Sequence, residues 1–142
     1  MTERPIIFDA DAVRAVLAGR KTQTRRLVSS PLRDCRPGDR LWVKEICVGV
    51  KRTSTGEAAA ALRNAEVVVL RDGWRQDRNG WGRKGAVPTN PRLIWMPAVH
   101  MPRWASRATI VVESVRRERL RDISRADAGA ADALRRVFRA VP

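Results

Sequence analysis

The sequence predicts an α+β fold, with several short strands, helices near each end and one long aromatic loop. Three observations carry that expectation. Branched apolar runs such as EVVVLR (66–71) suit a pleated, buried surface. Helical spacing is seen for Val13, Val16 and Leu17 near the start and for Ala130, Leu134, Val137 and Phe138 near the end. Residues 72–106 keep no period and hold four glycines, four prolines and four of the five tryptophans. At 142 residues the chain reads as a single domain, 1–142, long enough to bury a core without staples.

Taken in order, PIIF (5–8) is a short first strand. Asp9 is placed to cap a helix that Gly19 ends. TRRLV (24–28) is a second strand, and SSPLRDCRPGD, with two prolines and a glycine, is loop. LWVKEICVGV (41–50) is the clearest early strand, EAAAALRNA (57–65) a short helix or helical turn, and 66–71 another strand. The 72–106 stretch is too long for an idle connection, so it lies over a cleft or presents stacking surfaces. RATIVVESVRRERL (107–120) reads as a long strand or a strand pair. SRAD (124–127) fits a capping box that opens a C-terminal helix over 124–139.

Charge is the strong compositional signal. Twenty-nine basic residues against fifteen acidic give +14, and 25 of the basic residues are arginine. Arginine-biased codon usage explains arginine over lysine but not the excess of basic over acidic residues. Such a surface draws polyanions, and the planar guanidinium suits phosphate and base edges. The expected partner is therefore RNA or a modified nucleoside, with any protein partner left open. No apolar run approaches the roughly 20 residues that span a bilayer, so no membrane role is expected and the chain reads as cytoplasmic. Two cysteines and one histidine match no zinc pattern, so neither a metal nor a cofactor is expected.

LAGRKTQTRR (17–26) sets Lys21, Thr22 and Thr24 among Arg20, Arg25 and Arg26. These residues suit a solvated turn, a grip on phosphate, or a pair in which Lys21 takes the Thr24 proton. The last needs the lysine's pKa lowered by desolvation or by neighbouring positive charge. Further on, Trp95, His100, Met101, Pro102 and Trp104 are placed to frame a cleft mouth where an aromatic face stacks on a base. The plainer reading of the tryptophans is core, and of His100 a packed loop residue. Arg103 and Arg107 flank Trp104, Ala105 and Ser106 and suit phosphate contacts. GWGRKG (80–85) lacks the hydroxyl and the following helix of a phosphate loop.

The order AGRKTxTxR, PGDxLWV, HMPRWAS and then RLRDIS resembles ASCH-domain proteins, particularly the small forms of phages and prophages. The resemblance runs from about Pro5 to about Asp132 and is weakest between 51 and 90. It implies a PUA-like β-barrel with flanking helices and a cleft for RNA or a modified nucleoside. Arg20, Thr22, Arg25, Arg26, Trp95, His100, Arg103, Trp104, Ser106 and Arg107 would then be its binding residues. One branch of the superfamily is an amidohydrolase that removes the acetyl group of N4-acetylcytidine with a lysine and a threonine, matching Lys21 and Thr24. That branch completes the set with a glutamate, whose position here falls at or near Ala131; Glu45 and Asp127 are the candidate replacements. Three expectations follow: a nucleic-acid or nucleoside binding module, an amidohydrolase centred on Lys21 and Thr24, or a phage protein that engages a host or defence nucleoprotein.

Overall fold

Alternation of buried valines organises the larger part of what the computed structural model describes, namely residues 2–27, 30–119 and 132–141. These residues are mostly sheet, with few helices. The chain divides into two compact units, one of Met1–Ile6, Arg14–Trp42 and Ala108–Pro142, the other of Ile7–Val13 and Val43–Arg107.

The first unit holds a five-stranded sheet. Its strands are β1 (Glu3–Ile7), β2 (Gln23–Leu27), β3 (Arg40–Lys44), β9 (Thr109–Arg119) and β10 (Asp132–Val141), in the order β1-β3-β9-β10-β2. The helix α1 (Ala10–Leu17) precedes β2. Asp9 Oδ1 accepts the Ala12 amide at 2.7 Å, the cap that the sequence predicts. Gly19 then takes a φ of 74°, which lets the chain leave the helix toward β2. The PGD turn has a specific physical basis. Asp39 is buried and accepts the amides of Thr2 and Arg36, both at 2.9 Å. These two amide bonds hold its carboxyl below the usual carboxylate range.

The second unit holds the strands β4 (Cys47–Thr53), β5 (Gly56–Ala59), β6 (Val67–Leu70), β7 (Trp74–Asp77) and β8 (Gly82–Lys84). They form an antiparallel sheet in the order β5-β4-β6-β7-β8. Successive side chains of a strand point to opposite faces. Accordingly Cys47, Val68 and Leu70 pack with Met101 and Ala105 on one face, with Leu62, Trp74 and Trp104 around them. Val48, Val50, Val67 and Val69 form the other face, with Leu93 and Trp95. Every residue of β6 is buried, which is why that strand reads as an unbroken apolar run. Burial pushes the Cys47 thiol up to about 11, with the Glu45 charge adding to the rise.

Four expectations are corrected. Residues 41–50 are two strands, parted at Glu45 and Ile46, because Glu45 turns inward to an ion pair described below. Residues 57–65 are β5 followed by a short 3-10 turn over Leu62–Asn64; pairing with β4 outweighs the alanines' helical propensity. The 72–106 stretch contains the β7–β8 hairpin and two further 3-10 turns, Ala98–His100 and Arg103–Ala105. The predicted C-terminal helix is overturned over 132–139. There β10 pairs antiparallel along β9 from Asp132↔Arg119 to Val141↔Thr109, and with β2 on its other side. The open edge of an eleven-residue strand overrides local helical spacing. The capping box at 124–127 lies outside the described residues. Neither strand order closes on itself among the described residues, so the sheets are open.

Gly49 in β4 faces the chain after β5 so closely that an added Cβ would sit 2.6 Å from the Ala60 carbonyl oxygen and 3.0 Å from the Ala65 Cβ. The contact is with backbone and cannot relax cheaply. Gly49→Ala should therefore destabilise the fold by about 1–3 kcal/mol. The check is a lowered denaturant midpoint at unchanged slope; an unchanged midpoint contradicts the packing described.

Candidate functional site

In the first unit, α1 ends in a backbone turn that delivers the basic stretch. The amides of Arg20 and Lys21 both donate to the Ala15 carbonyl, at 2.8 and 3.0 Å. Lys21 therefore stands just before β2, with Arg20 and Thr22 exposed beside it. Thr24 lies within β2 and is only 7% exposed, whereas Arg25 and Arg26 are half-buried. β10 covers this strand in the register Thr24↔Arg136, Arg25↔Arg135 and Arg26↔Leu134.

The second unit is organised around Arg107. Its Nε and Nη2 donate to the two oxygens of Glu45 at 2.9 and 2.8 Å, and its Nη1 donates to Asp72 Oδ2 at 2.8 Å. All three side chains are withdrawn from solvent, at 5%, 2% and 3% exposure. Asp72 also accepts the Trp74 amide at 3.1 Å and lies 3.4 Å from Lys84 Nζ. Burial by itself would raise the Asp72 pKa. The Arg107 hydrogen bond, the Trp74 amide and the charges of Arg107 and Lys84 outweigh it and bring the carboxyl down to about 2. Burial likewise opposes the Arg107 charge, and the two carboxylates overcome it and raise its pKa.

This arrangement gives several predicted site residues a definite place. Arg107 is the centre of a buried ion cluster. Glu45, a candidate carboxylate partner of Lys21, receives one Arg107 bond on each oxygen. Ser106 donates its hydroxyl to the Val43 carbonyl at 2.7 Å. The tryptophans carry arginines of their own: Arg71 stands over the Trp95 ring and Arg78 over the Trp104 ring, each at 4.8 Å. Arg103 is exposed. Asp127 and Ala131 lie outside the described residues.

His100 is the predicted site residue that lines a cavity of about 550 Å³ in this unit. Its walls are aliphatic, from Val48, Leu62, Ile94 and Met96, and Arg63 and Arg92 stand with His100 at the lining. Among the described residues the side chains of Arg63, Arg92 and His100 make no hydrogen bond or ion pair with protein groups. Sequence reasoning missed Arg63 and Arg92. Nothing in their local pattern separates them from the other arginines, and only the fold brings them beside His100. Among the described residues no group of three or more His, Cys, Asp or Glu could hold a metal ion, and no helix is long and apolar enough to cross a membrane.

The Asp72 pKa supplies a signed prediction. Its folded value of about 2 lies below the ordinary one, so the ion cluster contributes fully above about pH 4 and is lost as the pH falls toward 2. The contribution at neutral pH is about 2 kcal/mol. Asp72→Asn should lower stability at neutral pH and flatten the acid limb of the stability curve between those values. An acid limb identical to the wild type's counts against the cluster.

Comparison with protein-family models, curated proteins and solved structures finds no match to this chain.

Proposed function

We propose that the protein binds nucleic acid, RNA in the first instance, or a modified nucleoside taken from it. The observation that carries this reading is the cavity of about 550 Å³, whose aliphatic walls meet Arg63, Arg92 and His100. Apolar walls with a few convergent polar groups suit a base, and uncommitted guanidiniums suit the attached phosphate. The net charge of +14 supplies the long-range attraction. The ASCH-like order of motifs supports the same reading, as it supports the PUA-like barrel as the finer form of a strand-rich fold.

The binding test is a titration of labelled single-stranded RNA at several salt concentrations. Affinity should fall with a log–log slope of several units, since each phosphate contact releases about one counterion. Arg63→Ala combined with Arg92→Ala should weaken competition by a free nucleoside monophosphate by about tenfold or more. Affinity that is flat between about 50 and 200 mM salt refutes the electrostatic reading.

A second reading is favoured by the burial of Thr24, one of the few buried polar groups among the described residues. A desolvated hydroxyl close in sequence to a lysine is what an amidohydrolase acting through Lys21 and Thr24 needs. In that reading Lys21 takes the Thr24 proton, the threonine oxygen attacks the acetyl carbonyl of N4-acetylcytidine, Lys21 returns the proton to the departing cytidine amine, and water then cleaves the acetyl ester on Thr24 to release acetate. Thr24→Ala should then abolish acetate release while leaving nucleoside binding within about twofold. A wild type that releases no acetate removes this reading and leaves the binding one intact.

A further inference from the structure

Trp81 departs from the other tryptophans. It is 76% exposed, whereas Trp74, Trp95 and Trp104 are packed against core clusters of the same unit. An exposed large apolar side chain is the informative exception on a protein surface.

The backbone beneath Trp81 is fixed. Its carbonyl accepts the Asp77 amide at 2.7 Å and Gln76 Nε2 at 3.2 Å, and its amide donates to Asn79 Oδ1 at 3.2 Å. The next residue is Gly82, where a Cβ would fall 2.3 Å from the Trp74 ring, so β8 closes tightly against β7. The indole is therefore presented on a rigid hairpin and loses little freedom when a partner covers it.

Beside the indole lies a cavity of about 100 Å³, lined by Arg52, Val67, Arg75, Asp77, Gly82 and Arg83 together with Trp81. A water's share of liquid volume is about 30 Å³, so the hollow takes about three water-sized groups, enough to admit the non-bridging oxygens of a phosphodiester. Arg75 is spent on Glu57 and on the carbonyls of Gly73 and Ala86. Asp77, the one carboxylate of the lining, is held by Arg52. Arg52 and Arg83 keep side chains 56% and 69% exposed, Arg83 lying 3.9 Å from Glu57, and Lys84 follows at 59%. Positive charge thus exceeds negative around the hollow.

We infer that the β7–β8 hairpin is a contact for single-stranded nucleic acid, in which one base stacks on the Trp81 indole and its phosphate lies against Arg83 and Arg52. A flat aromatic face next to guanidiniums suits a nucleotide of either sugar and any base. A double helix does not fit, because its bases are already stacked on one another. An acidic peptide would use the arginines and leave the indole uncovered. The hairpin falls in the part of the chain, 51–90, where the ASCH resemblance is weakest, so this contact belongs to this chain. It rests on the nucleic-acid half of the proposed function and lies apart from the His100 cavity.

The experiment uses the full chain and labelled uridine and deoxythymidine homopolymers of about ten nucleotides. Trp81→Ala should weaken both by about tenfold, and Trp81→Phe should retain most of the affinity. Adding oligomer should quench the wild-type tryptophan emission more than that of Trp81→Phe, a readout that a change in stability does not imitate. Arg83→Ala should lower the salt slope by about one. A wild type that binds neither oligomer overturns the nucleic-acid reading itself. Oligomer binding that is equal in wild type and Trp81→Ala, with equal quenching in wild type and Trp81→Phe, overturns the hairpin contact alone. Weakening confined to uridine, or to deoxythymidine, supports the contact and names the sugar it prefers.

Discussion

Taking a guanidinium out of water costs several kcal/mol, and the cost is recovered only where carboxylates meet it in good geometry. In the second unit Arg107 is buried against Glu45 and Asp72, and this requirement positions the three segments that carry them. Glu45 sits where β3 gives way to β4, Asp72 where β6 turns into β7, and Arg107 just before β9. Asp72 goes further, since it also accepts the Trp74 amide and so sets the start of the hairpin that carries Trp81. Removing one partner would leave the others charged and uncompensated in a dry environment, a much larger loss than that of a surface pair. Valine packing supplies the bulk of the unit's cohesion, and the ion cluster specifies which ends meet.

The excess of arginine looks uniform in the sequence and is not uniform in the structure. Arg75 and Arg107 are consumed by carboxylates, and Arg78 reaches the Ala65 and Arg63 carbonyls while its guanidinium covers Trp104. Arg71 covers Trp95 in the same way. These arginines act as internal struts whose planar heads satisfy several acceptors at once. Arg63, Arg92 and Arg83 face cavities instead. Composition suggests a partner class because it counts charge, whereas the places where that charge is available depend on the pairing of strands distant in sequence.

The same distinction explains what was legible. The first helix with its Asp9 cap and the buried strand 66–71 could be read because local chemistry decides them. β5 and β10 could not, because an alanine run and a helical spacing were overridden by the free edges of β4 and β9. The β7–β8 hairpin carried a signal that a reading centred on tryptophan and proline passed over: Asp-Arg-Asn-Gly, with Asn79 and Gly80 suited to a tight turn. At the candidate site, the lysine and threonine of the basic stretch were visible as a motif. Glu45 was visible only as one alternative, since its burial depends on Arg107, 62 residues away.

The outer strands of the two sheets have a bearing on how separate copies of the chain behave. Among the described residues β1 and β2 flank one sheet, and β5 and β8 flank the other. An exposed strand edge is a template for a second chain. β1 carries Pro5, which has no amide hydrogen to offer, β2 carries Arg25 and Arg26, and β8 is the fully exposed Gly-Arg-Lys. Two such edges approaching each other bring like charges together, so these basic residues act as a barrier to self-association. That barrier is conditional. It stands in dilute salt and weakens as salt screens the edges, and the nucleic acid proposed as partner would weaken it in the same way by neutralising their charge.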